Sequence, residues 1–304
     1  MKKVQFLTLV LAAIIAVSCT KPASHGDMSV SINYSVNGKP LITDSLCYRN
    51  EAENEFMITE IQWFISKMEL QDERSEWVAL EPKIFYIDTN IPESHAINIT
   101  SIPVGTYKAL RFVFGLDEEY NRTGLFTDPP ESEMFWPDLL GGGYHYMKLN
   151  GKYLDTEGHL APLAIHLGIG QNADHSEFYQ NYFIAELPID LALTENTENQ
   201  LDLTMIIDNW FRDPNLYDFN EFGSAIMQNQ VAQQTLKENG QDVFTWSVFE
   251  EQNNKDMKKE ELVEEFNRIM QKAAPKPRFW SWENVKERVS SAASRHSEER
   301  SNTK

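Results

Sequence analysis

The sequence predicts an all-β protein, a β-sandwich with one or two helices and a helical or disordered C-terminal tail. Three observations carry this reading. Short runs that alternate apolar and polar residues, or are rich in β-branched and aromatic ones, succeed one another from residue 28 to residue 207. Turn signals such as Asn37-Gly38 and Pro103 with Gly105 separate them. Convincing helical periodicity in the body is confined to one segment, and many strands at short spacing favour a sandwich. With 304 residues, 41% hydrophobic and 12% aromatic, the chain can bury a substantial core.

The chain opens with Lys2 and Lys3, an apolar run from Phe6 to Val17, and then Ala16-Val17-Ser18-Cys19. This is a signal peptide, too short to be read as a spanning helix. A cysteine directly after small residues resembles a bacterial lipobox, with Ala16 where many lipoboxes have Leu. Cys19 is therefore expected to be lipidated, placing the protein in the bacterial envelope, periplasmic or at the outer membrane, with the membrane as a partner through the anchor. The resulting organisation is a signal peptide over 1–18, a tether over 19–26, a β domain over 27–252 and a charged tail over 253–304. Cys47 is then the remaining possible thiol. No intramolecular disulfide framework is expected, and Cys47 reads as a buried structural cysteine.

Strand alternation begins at Met28 to Val36, with Val30, Ile32 and Tyr34 spaced by two and Asn37-Gly38 closing a hairpin. Phe56 to Leu70 reads as two strands or one long bent strand. Further strands are expected at Trp77 to Leu80, Ile84 to Asp88 and Ala96 to Ile99, and Thr106 to Leu116 has the character of a central strand. The acidic loop Asp117 to Asn121 lacks the oxygen spacing of a calcium loop and reads as a solvated turn. Tyr144 to Leu149, Pro162 to Leu167, Tyr182 to Leu187 and Leu201 to Ile207 follow as strands. A helix is expected from Ser224, its cap, to Asn239-Gly240, its stop. Lys255 to Lys272 is expected to form a charged amphipathic helix with Leu262, Phe266 and Met270 at spacing four. Beyond it, Phe279, Trp280 and Trp282 are expected to dock on the body.

The net charge is −19; Lys2 and Lys3 give residues 1–18 a charge of +2 and residues 251–304 carry another +2, which leaves −23 on residues 19–250. An acidic body excludes nucleic-acid binding, which needs a basic footprint, and attracts cations only diffusely. The sequence holds no phosphate loop, CxxC, HExxH or GxSxG motif, and no two of its many carboxylates stand out as an acid/base pair. No enzymatic activity is expected. Gly141-Gly142-Gly143 reads as a tight backbone turn.

The candidate site lies in Met134 to Gly168. Closing the loop between its two strands about its midpoint sets Leu149 opposite Pro162 and His145 opposite His166. Opposed residues share a face with Cβ atoms roughly 4.5–5.5 Å apart, so the two imidazoles can converge on one ion. Met147 falls on the same face by alternation. The ordinary reading of a strand histidine is a half-buried residue with one hydrogen bond. Two opposed histidines and a thioether instead form a soft donor set suited to Cu(I). His159 and His175, on expected loops, are competitors, while His25 in the tether and His296 in the tail lack a rigid support.

FMITEIQWFISKMEL, GTYKALRFVFGLD, MFWPDLLGGGYHYMKLNGKYLD with AIHLG, MIIDNWF, SAIMQNQVAQQ and ENGQDVF occur in that order between Asp27 and Phe249. Together they resemble the MbnP-like family of exported copper-binding proteins. The resemblance implies a β-sandwich-like fold that binds copper in a bacterial envelope, often near a di-haem cytochrome c peroxidase-like partner. It also implies copper held between two histidines, which match His145 and His166, with an oxidised tryptophan, kynurenine, close in sequence to the first. Met147 stands where that tryptophan is expected, and Trp136, nine residues before His145, is read as core with a lesser claim to a neighbouring or redox role. The function expected is a lipid-anchored protein that holds or transfers Cu(I). The alternatives are a metal-free envelope module that binds a protein or glycan through Phe135, Trp136 and Tyr144, and an accessory of the di-haem partner.

Overall fold

The computed structural model describes residues 24–248, apart from residues 173, 175, 196–198 and 224. The chain divides into two units, Met1–Phe249 and Glu250–Lys304. The second unit, the signal segment, Cys19, His175 and His296 lie outside the described residues, as do the expected amphipathic helix, Trp280 and Trp282.

Two sheets form the sandwich. In the first, β1 (His25–Val36) runs parallel to β14 (Asn199–Ile206), and β15 (Phe244–Val248) lies beyond β14. β2 (Lys39–Pro40) and β7 (Ala96–Pro103) also pair with β1. The Asn37-Gly38 turn has φ of 51° and 70°, the left-handed pair that a two-residue hairpin demands. β1 begins at His25, inside the span read as tether.

The second sheet is built on β4 (Glu55–Asp72), a single strand of 18 residues. Its first half pairs with β9 (Met147–Leu154) and its second with β8 (Gly105–Phe114). β10 (Leu160–Leu167) extends β9, and β13 (Phe183–Leu193) extends β8, which makes β8 an internal strand as its pattern predicts. β3 (Tyr48–Arg49), β5 (Trp77–Ala79) and β6 (Ile84–Asp88) complete the pairing of β4. β4 is bent rather than broken. The partner changes at Phe64, whose N–H donates to Tyr146 O at 3.1 Å and whose carbonyl accepts from Gly115 N–H at 2.8 Å; within the β8 pairing the register then shifts between Ser66 and Glu69, where Lys67 takes φ of 50° in a bulge that bends the strand. Lys67 then pairs with Asp117 and, at 2.7 Å, with Glu119, so the acidic loop is pinned by a cation rather than simply solvated.

Aromatic side chains join the layers. Trp63 and Phe114 of the second sheet stack at 5.8 Å between centroids, Trp63 lies 5.3 Å from Phe244 of the first, and Trp63 Nε1 donates to the Tyr34 hydroxyl at 2.9 Å. The minor pair β11 (Gly170–Gln171) and β12 (Phe178–Tyr179) and two helices, α1 (Phe219–Phe222) and α2 (Gln230–Asn239), complete the described body.

Two expectations are corrected. Cys47 is exposed, not buried, because it sits in the loop between β2 and β3 rather than on a strand. The helix begins at Gln230 instead of Ser224. Ala225 bridges Ala164 of β10, Ile226 is buried, and the Asn229 side chain accepts from Ala232 N–H at 3.1 Å, so the helix is capped at Asn229.

Candidate functional site

The β9–β10 hairpin sets the site, and its register differs from the expected one. Asp155 Oδ1 accepts from the N–H groups of Glu157 (2.9 Å) and His159 (2.8 Å), and Gly158 takes φ of 79°. This Asx-type turn pairs Leu154 with Leu160, and hence Leu149 with Ile165 and His166 with Lys148. His145 is therefore not opposite His166, nor Leu149 opposite Pro162. Both strands run closer to the turn than alternation alone indicates. Had β9 continued straight back through residue 145, this odd shift would have put the two histidines on opposite faces.

It does not continue. β9 starts at Met147, and Tyr146 forms a bend whose N–H donates to Leu167 O at 2.7 Å. Before it the chain pairs with its own upstream segment. His145 N–H donates to Met134 O (2.6 Å), Trp136 N–H donates to Gly143 O (2.8 Å), and Phe135 bridges Tyr144. Gly141, Gly142 and Gly143 close this doubled loop with φ of 111°, 70° and 79°, a left-handed run that side-chain-bearing residues resist. The Trp136 ring lies over Gly168, where an added Cβ would come within 2.5 Å of it, and its Nε1 donates to Leu140 O at 3.0 Å.

This arrangement brings His145, His166 and Trp136 together. The His145 and His166 ring centroids are 5.1 Å apart at 84°, and the Trp136 ring is 4.7 Å from His145 at 72°. His145 is 5% exposed. Its Nδ1 is 2.9 Å from Met134 O, which can only accept, so Nδ1 carries the proton and Nε2 the lone pair. That Nε2 is buried and has no hydrogen-bond partner. His166 Nε2 lies 2.8 Å from Asn150 Oδ1.

Both imidazoles are held neutral. Burial lowers the His145 pKa to about 3, with the Met134 carbonyl opposing and the charges of His166 and Lys148 reinforcing the shift. Burial and then Lys148 lower that of His166 to about 4. Burial also lowers the Lys148 pKa, against the pull of Glu60, Glu133 and Asp88, and its ammonium donates to Glu133 O at 2.7 Å.

Met147 does not join this cluster. It is fully buried, opposite Leu167 on one side and Trp63 on the other, whereas His166 pairs with Lys148 on the alternate face. The three-residue difference in register accounts for the correction. His159 is exposed on the turn, 3.7 Å from Asp155 and 3.4 Å from Glu157, and His25 is exposed at the head of β1. Asn150, Glu60, Lys148 and the Met134 carbonyl were not singled out from the sequence. Only the true register shows that Lys148 and Asn150 share the His166 face. Among the described residues no group of three or more His, Cys, Asp or Glu is placed to hold a metal. What the site offers is two neutral imidazole nitrogens.

A family model for MbnP matches residues 25–230. The chain belongs to the MbnP family. The matched span takes in both histidines and the doubled loop that carries Trp136, and the β-sandwich implied by the MbnP resemblance is the fold found. Among solved structures, MbnP from Methylosinus trichosporium is similar at 12% identity, over 75% of this chain and 100% of its own, with a TM-score of 0.49. The MbnP assignment rests on the family match. A search of curated proteins gives no match.

Proposed function

We propose that this MbnP-family protein binds copper, as Cu(I), between His145 and His166, and holds or transfers it in the bacterial envelope as a lipid-anchored protein rather than an enzyme. The observation that carries the reading is the buried, unpartnered Nε2 of His145 beside a second neutral imidazole. A buried polar atom left unpaired costs on the order of 1–3 kcal/mol, a cost that a ligand removes. Two neutral nitrogen donors suit a soft ion of low coordination number, and copper bound there would supply a soft, one-electron redox centre or a cargo site. Around it the Met134 carbonyl fixes the His145 tautomer, burial keeps both rings neutral, and Trp136 packs against the His145 ring. We also propose Cys19 as the lipidation point and a di-haem cytochrome c peroxidase-like protein as the partner, both on the grounds given by sequence.

Titration of the purified apo-protein with Cu(I) and Cu(II) tests the reading. His145→Ala and His166→Ala are each expected to weaken Cu(I) binding at least tenfold, and His159→Ala to leave it unchanged. Parent-like binding by both site variants, with normal folding, would replace the copper reading by a metal-free module binding a protein or glycan. In that module Phe135, 61% exposed, would have to serve without Trp136 and Tyr144, which are buried.

A further inference from the structure

We propose that Asn150, polarised by Glu60, is a positioning residue that fixes the tautomer of His166, so that Nδ1 is the nitrogen this ring offers to a metal. The assignment rests on the copper reading for its consequence but not for its geometry.

Glu60 lies in β4 and pairs with Asn150 of β9 in the ladder. Its Oε2 is 3.1 Å from Asn150 Nδ2, and its Oε1 accepts from Asn90 Nδ2 at 2.8 Å. An ionised carboxylate only accepts, so the Asn150 amide must turn its NH₂ toward Glu60. Its carbonyl oxygen then points the other way, to His166 Nε2 at 2.8 Å. An amide oxygen also only accepts, which places the proton on Nε2 and leaves the lone pair on Nδ1. On His145 the Met134 carbonyl enforces the reverse choice, with the lone pair on Nε2. The two rings therefore present unlike nitrogens, one set by the doubled loop and the other by a relay of two side chains on neighbouring strands. A hydrogen-bonded second ring nitrogen is the usual means by which proteins orient a ligating histidine.

The test uses the full-length apo-protein labelled with ¹⁵N-histidine, with long-range ¹H–¹⁵N correlations at neutral pH reporting each tautomer. The parent is expected to show His166 as the Nε2–H form and His145 as the Nδ1–H form. Asn150→Leu removes the acceptor and is expected to shift His166 toward Nδ1–H and to weaken Cu(I) binding roughly 10–100-fold. Glu60→Gln keeps the shape but frees the Asn150 amide to flip, so it is expected to give a mixture of His166 tautomers with a smaller loss of affinity. An Nδ1–H form of His166 in the parent, or a balance unmoved in Asn150→Leu, would overturn the assignment. A balance unmoved in Glu60→Gln would remove Glu60 from it. The expected tautomers in a parent that fails to bind Cu(I) would refute the copper reading while leaving the positioning role intact.

Discussion

Burial of His145 and His166 gives the protein a pH dependence whose sign can be worked out. In the unfolded chain both rings titrate near the ordinary histidine value of about 6.5; in the folded chain they do so at about 3 and about 4. Between those limits the unfolded state binds more protons, so the stabilising difference is complete above pH 6.5 and is lost as pH falls toward 4. Thermal melts of the apo-protein are expected to drop across that window, with a shallower slope in His166→Gln. For the same reason Cu(I) has no proton to displace at neutral pH, and its affinity is expected to stay level from pH 7 to pH 5, where an exposed pair of histidines would weaken. Competition titrations across that range check it. Met147 supplies a second expectation at this scale. Because its thioether lies on the core face, opposite Leu167, Met147→Leu is expected to leave Cu(I) affinity unchanged. A clear loss would return Met147 to the site.

At the scale of elements, the doubled loop before β9 decides where His145 points. Gly143 has φ of 79°, and a Cβ added there would come within 2.2 Å of Asn121 Oδ1, the atom that accepts Tyr144 N–H at 2.7 Å. Gly143→Ala combines left-handed strain with a collision against a held side chain. The expected cost is about 1–3 kcal/mol, read as a drop of several degrees in Tm and a weaker Cu(I) affinity, since the turn at Tyr144 leads directly into His145. An unchanged melt and affinity would mean that the loop yields without moving the histidine. The bulge at Lys67 acts at the same scale. It bends β4 within its pairing with β8, just past the change of partner at Phe64, and one strand supports both the hairpin of His166 and the internal strand of the sheet.

For the whole molecule, the described body has a core that spans both sheets. Among the described residues, Trp63, Phe114, Phe244 and Tyr34 join the two sheets. Truncation after Gln252 is therefore expected to leave Tm nearly unchanged, and a differential scanning measurement checks it. A loss of several degrees would show that Trp280 and Trp282 contribute to the body.

By itself the sequence determined the elements. The period-two runs placed β1, β6, β8 and β14 close to where they lie, because a sheet buried on one face writes its alternation directly into the chain. Asn37-Gly38 marked its hairpin because few residues tolerate left-handed φ. His145 and His166 were legible as a pair because they flank one hairpin. Tertiary structure decided the contacts. The Asp155 turn chose the register, and a three-residue difference moved Met147 into the core while bringing Asn150 beside His166. The bend at Tyr146 restored the histidine pair that this register would have separated, and the doubled loop carried Trp136 across nine residues to His145. Alternation records which face a side chain occupies within its own strand. Which strands meet, and at what offset, depends on turn hydrogen bonds and on packing with residues far away in the chain.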